Sequence, residues 1–167
     1  VSYPKDGNPT IILNGAYTNG DRITIGTTGR VNYPVDIIVT ADSHIINNDD
    51  GGKPIASSIT GDLTIKSEND AKLTLEAYKW HGGTTTAASL RSAGNIIFDN
   101  ANVLVYGSKP KETDKYILSD NGDIIVDGGK LQIITGDYAT EDTREQPIVH
   151  APNGQIIIRN GADVTVL

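Results

Sequence analysis

The chain has no cysteine and no methionine, only one tryptophan and one phenylalanine, and no run of about 20 apolar residues. Without cysteine there is no disulfide, no thiolate nucleophile and no cysteine-ligated zinc. Without a long apolar run no helix of this chain spans a membrane. No signal-peptide pattern stands at Val1, and the missing methionine reads as the mark of a processed or excised piece whose leader has been removed. Basic charge is also in deficit: 14 Lys and Arg against 21 Asp and Glu give a formal net charge of -7, which argues against non-specific nucleic-acid binding. Clean helical periodicity is missing too; Thr84 to Arg91 comes nearest, and its threonine run is poor helix material.

What is present is glycine, isoleucine and threonine in 167 residues, enough for one domain with a core. That mixture suits many short strands joined by tight corners. The strands repeat. A first segment recurs at Ile11-Ile12-Leu13, Ile37-Ile38-Val39, Leu63-Thr64-Ile65, Ile96-Ile97-Phe98, Ile124-Ile125-Val126 and Ile156-Ile157-Ile158, about 26 to 33 residues apart. The last four copies share a lead, Gly61-Asp62, Gly94-Asn95, Gly122-Asp123 and Gly154-Gln155. A second segment follows in step: Ile23-Thr24-Ile25, Ile45-Ile46, Leu73-Thr74-Leu75, Val103-Leu104-Val105, Leu131-Gln132-Ile133 and Val164-Thr165-Val166. A third, looser one runs through Pro54 to Ile59, Ala88 to Ser92, Tyr116 to Leu118 and Pro147 to Val149.

Three segments per turn of about 30 residues specify an all-β fold, a parallel β-helix (solenoid) of about six rungs with three short strands per rung. On a rung spacing of about 4.8 Å the rod is about 25–30 Å long. An antiparallel sandwich also uses short strands and glycine corners, but its segments do not fall in phase as triplets. Residues 1–167 read as a single β-helix domain, a fragment or module of a longer surface protein. Gly122 to Ile133, with its Asp-Gly-Gly corner, resembles a hairpin locally; the repeat makes it a bend within one rung.

One inward ladder is expected to hold Ile37, Leu63, Ile96, Ile124 and Ile156. The outward column of the same strands reads Ile12, Ile38, Thr64, Ile97, Ile125 and Ile157, where a solvated face should be polar. The second strand's outward column reads Thr24, Ile46, Thr74, Leu104, Gln132 and Thr165. Partners expected from this are further rungs, a neighbouring domain or a second chain, covering the outer isoleucine column and the C-terminal edge.

Chemistry is sparse. Pectate-lyase-like enzymes need acids and a base on an outer face; Asp99 and Asp127 stack at one corner but also read as turn formers. Glu141, Asp142 and Glu145 crowd around Arg144, a hydrolase-type carboxylate group or a solvated loop tip. His44, His81 and His150 lack ligand spacing, and His150 reads as a structural residue near Leu118 and Leu90. No cofactor is required. Calcium is the one metal the acidic loops suit, with Asp49 and Asp50 in Asn47 to Gly52 as its candidate ligands and a plain turn as the other reading. Insertions fall mainly between second and third segments, so they emerge on one side of the rod. They carry the candidate ligand-binding residues Tyr78, Trp80, His81, Tyr138 and Arg144. Trp80 offers a sugar-stacking ring, or folds back over the side of the rod.

The rung pattern of Ile11-Ile12-Leu13-Asn14-Gly15, Gly61-Asp62-Leu63-Thr64-Ile65, Ser92-Ala93-Gly94-Asn95-Ile96-Ile97 and Asn121 to Gly129 resembles bacterial surface right-handed parallel β-helix domains. Among these are the carbohydrate-binding β-helix domains of Firmicutes. The resemblance implies a non-catalytic module at the cell surface or outside the cell, binding polysaccharide or cell-wall glycan or serving as an adhesion stalk. No nucleic acid and no membrane insertion are expected. The alternative is a polysaccharide lyase or glycoside hydrolase of the β-helix class, so enzymatic activity stays open.

Overall fold

A computed structural model describes residues 7–26, 32–48, 53–77, 88–107, 115–135 and 148–167. The chain winds through three strands per turn. The first turn holds β1 (Thr10–Asn14), β2 (Tyr17–Asn19) and β3 (Ile23–Ile25); the second β4 (Val35–Ala41), β5 (Ser43–Asn47) and β6 (Ile55–Ser57). The third holds β7 (Leu63–Ser67), β8 (Lys72–Ala77) and β9 (Ala88–Ser92); the fourth β10 (Ile96–Asp99), β11 (Asn102–Gly107) and β12 (Lys115–Ser119). The fifth holds β13 (Ile124–Asp127), β14 (Lys130–Thr135) and β15 (Val149–His150), and β16 (Ile156–Arg159) and β17 (Asp163–Val166) begin a sixth. Equivalent strands stack in parallel into a first sheet β1-β4-β7-β10-β13-β16, a second β2-β5-β8-β11-β14-β17 and a third β3-β6-β9-β12-β15. The parallel solenoid read from the repeat is therefore present, with five complete turns and two strands of another. No described helix is long and apolar enough to cross a membrane.

The core is a stack of apolar ladders. Leu63, Ile96 and Ile124 pair in register and are fully buried, as are Ile65, Phe98 and Val126 beside them. Each such side chain contributes about 1.5–3 kcal/mol before conformational entropy is set against it. The ladders lose their cover at the last rung. Ile156 stacks on Ile124 yet is 50% exposed, and Ile158 stacks on Val126 yet is 54% exposed.

The Gly-Asp lead has a packing cause. A Cβ at Gly94 would strike the carbonyls of Thr60 and Gly61, and one at Gly154 would strike Gly122. Backbone lies directly against backbone at this corner, so only hydrogen fits. The next residue builds a polar ladder: Asn95 Nδ2 donates to Asp62 Oδ1 (2.8 Å), the Asp123 amide to Asn95 Oδ1 (2.7 Å) and the Gln155 amide to Asp123 Oδ1 (2.8 Å). Ser92 and Ser119 hydroxyls accept the amides of Gly94 and Gly122 and finish the corner. These bonds satisfy backbone donors that no strand partner reaches.

Two sequence assignments shift. Ile23–Ile25 lies in the third sheet, not the second; the polar stretch Tyr17–Asn19 is the second strand of the first turn. Its sequence lacks an apolar alternation because Tyr17 and Asn19 face outward and Thr18 spends its hydroxyl on the Ile46 amide. Second, β4 is seven residues long and starts early, so Val35, not Ile37, sits opposite Leu63. That two-residue offset splits the outer isoleucine column. Ile12 and Ile38 continue into Lys66, Asp99, Asp127 and Arg159, whereas Ile97, Ile125 and Ile157 continue Thr10, Asp36 and Thr64. Ile97, Ile125 and Ile157 are each partly buried by stacking on one another.

Gly122 to Ile133 is the bend within one rung that the repeat requires: β13 and β14 pair with β10 and β11 on one side and β16 and β17 on the other. Gly128 and Gly129 both take left-handed φ values of 69°, which the Asp-Gly-Gly corner allows at no steric cost.

Candidate functional site

The sequence-predicted ligand-binding residues Tyr78, Trp80, His81, Tyr138 and Arg144, and the metal candidates Asp49 and Asp50, all lie outside the described residues. Lys109, Lys111, Glu112, Glu141, Asp142 and Glu145 do so as well. Their chain neighbours are placed: Asn48 precedes Asp49, and β8 ends at Ala77 immediately before Tyr78.

At that side of the rod the outer face of the second sheet carries a polar and aromatic cluster. Register builds it. Tyr17 pairs with His44 and His44 with Thr74, while Asn19 pairs with Ile46 and Ile46 with Glu76. Alternation turns Tyr17, Asn19, His44 and Glu76 outward, away from the ladder of Ile45 and Leu75. Tyr17 is 66% exposed and meets His44 edge-on, with ring centroids 5.9 Å apart and planes at 81°. His44 Nε2 donates to Glu76 Oε2 at 2.9 Å, one rung along. Asn48 Nδ2 donates to Asn19 Oδ1 at 2.6 Å, which orients both amides at the edge of the cluster.

The arrangement provides one exposed ring, one oriented imidazole, one carboxylate and two planar amides on a flat surface. Thr74 lies next to His44 in register on the same face, and among the described residues no group of three or more His, Asp or Glu side chains could hold a metal. A ring of this kind suits apolar C–H faces, and paired donors and acceptors suit hydroxyl groups.

The acids read at the first corner are engaged elsewhere. Lys66 Nζ lies 3.7 Å from both Asp36 and Asp99, and Arg159 reaches Asp127 at 2.6 Å. Hydrogen bonds from Arg159 and Asn160 hold the Asp127 carboxyl below its ordinary value of 3.8. Asp99 and Asp127 stack directly, and each is matched by a cation on its far side. His150 is opposite Leu118, whose other neighbour is Arg91 rather than Leu90, and it is half-buried on the outer side of the third sheet.

Sequence reasoning missed Tyr17, Asn19, His44 and Glu76 as a group. The signal was available. The second strand of the second turn starts a few residues beyond Val39, and the same step from Leu13 lands on Tyr17 rather than Ile23. Comparison with protein-family models, with curated proteins and with solved structures finds no match to this chain.

Proposed function

We propose that this chain is a non-catalytic carbohydrate-binding or adhesion module of an extracellular or cell-surface protein, of the kind built as β-helix domains in bacteria. The observation that carries the reading is the exposed Tyr17 ring set beside the oriented His44–Glu76 pair and the Asn19–Asn48 amides. A sugar presents an apolar C–H face and a rim of hydroxyls, and this surface offers a partner for each. The rigid sheet fixes the groups before a ligand arrives, so little conformational entropy is lost on binding.

A glycan array probed with and without calcium, paired with a lyase assay on polygalacturonate, tests the reading. Binding to at least one glycan, weakened about tenfold or more by Tyr17→Ala with an unchanged melting temperature, supports it. Product formation in the lyase assay, or an array on which Tyr17→Ala weakens binding to no glycan, overturns it.

A further inference from the structure

The third sheet carries a second, differently charged surface. Successive turns bring Arg22, Lys53 and Arg91 to one edge of it. The Ile23 amide bonds the Pro54 carbonyl (2.9 Å), which lays Arg22 alongside the residue after Lys53. Ala56 pairs with Thr24 on one side and with Arg91 on the other, so the three cations rise through three consecutive turns. One carboxylate joins them: the Asp120 amide bonds the Ser92 carbonyl, and Arg91 Nε reaches Asp120 Oδ1 and Oδ2 at 3.2 and 3.1 Å.

Charge does not balance here. Among the described residues Arg22 and Lys53 make no ion pair and no side-chain hydrogen bond, so three cations share one carboxylate. Partial burial, and then the nearby Arg91 and Arg22 guanidiniums, push the Lys53 ammonium below the ordinary lysine value of 10.5, against a smaller opposing pull from Asp120. In a chain of net charge -7, such a concentration of like charge costs folding energy that a bound anion would offset.

We infer that Arg22, Lys53 and Arg91 form a binding site for an acidic polysaccharide, a glycan bearing carboxylate or sulfate groups, lying obliquely across three turns of the rod. Arg22 lies opposite Pro54, Lys53 one residue before that row and Arg91 opposite Ala56 two residues beyond it, so the cations run obliquely across three turns and a ligand with several acid groups, rather than a single ion, spans them. Arg91, held by Asp120, presents a fixed fork for an oxyanion, and Lys53 and Arg22 supply the unmatched charge. The site is on a different sheet from Tyr17 and stands independently of that surface.

Isothermal titration of the full chain with a galacturonate oligomer, its methyl-esterified counterpart, a sulfated oligosaccharide and single-stranded DNA tests the inference. The expected result is binding of a charged oligosaccharide, no binding of the uncharged ester, and weakening as salt is raised. The uronate and sulfate arms identify the acid group. The double variant R22Q/K53Q weakens the affinity about tenfold while Tyr17→Ala leaves it unchanged. The double variant should not lower the melting temperature, because neither side chain loses a partner. No binding of either charged oligosaccharide, equal affinity for the ester, tighter binding of DNA, an unchanged affinity in R22Q/K53Q, or a loss of affinity in Tyr17→Ala would overturn it.

Discussion

The first and third sheets handle surface charge in opposite ways. On the first, Lys66 sits between Asp36 and Asp99, and Arg159 meets Asp127, so each cation has a carboxylate within a rung. On the third, Arg22 and Lys53 have none among the described residues, and Asp120 serves Arg91 alone. Parallel stacking puts residues of successive rungs directly over one another, so like charges meet unless the sequence alternates them. The first sheet stacks Asp99 on Asp127 but flanks that pair with Lys66 and Arg159, and its charges stabilise the rod. On the third, Arg91 lies over Ala56 and the cations meet obliquely with one carboxylate among them, and its charges favour an external anion. A charged row on a solenoid therefore says nothing about binding until its neighbours above and below are known.

The most disruptive way to break this comparison is to remove the stack beneath it. Phe98→Ala empties a fully buried ladder position between Ile65 and Val126 and should cost about 3–5 kcal/mol in urea unfolding, with both outer faces disturbed. A sharper contrast compares two neutralisations. Lys66→Gln removes the shared partner of Asp36 and Asp99 and should lower stability by about 0.2–1 kcal/mol, a modest amount because the lysine is partly exposed. Lys53→Gln removes repulsion and should leave stability unchanged or raise it. Equal losses in the two variants would erase the distinction between the faces.

The smallest effects lie in the pH profile. Asp127 has a lowered folded-state pKa, so its contribution is complete above pH 3.8 and vanishes as pH falls through the lowered value. Asp127→Asn should flatten that acid limb. Lys53 also has a lowered folded-state pKa, but for a base this means the folded chain holds the proton less tightly than the unfolded one. Its penalty is present below the folded value and is relieved as pH rises toward 10.5, and Lys53→Gln should remove that alkaline gain. Thermal melts across both ranges read out the two signs.

Much of the architecture was legible because the repeat is written twice, in the apolar triplets and in the glycine leads. Gly61, Gly94, Gly122 and Gly154 mark places where backbone packs on backbone, a demand that recurs every turn and leaves the same residue each time. Register was less legible. Val35 and Ile37 are both apolar and both inward, so either could face Leu63, and nothing in the pattern distinguishes an offset of two. The candidate surface was hidden for a related reason. Tyr17 lies in a strand too polar to show alternation, and its neighbours His44 and Glu76 are about 30 residues away from one another in sequence.

By itself the sequence determined the parallel solenoid, the three strands per turn, the inward isoleucine ladders and the bend at Asp127 to Gly129, because each depends on spacing within one rung. Tertiary structure alone decided which residues meet across rungs. That choice split the outer isoleucine column, set Lys66 between two aspartates, joined His44 to Glu76 and gathered Arg22, Lys53 and Arg91. Stacking is set by where each strand starts and how long each corner runs, and a shift of two residues changes every outward neighbour while leaving the buried pattern intact.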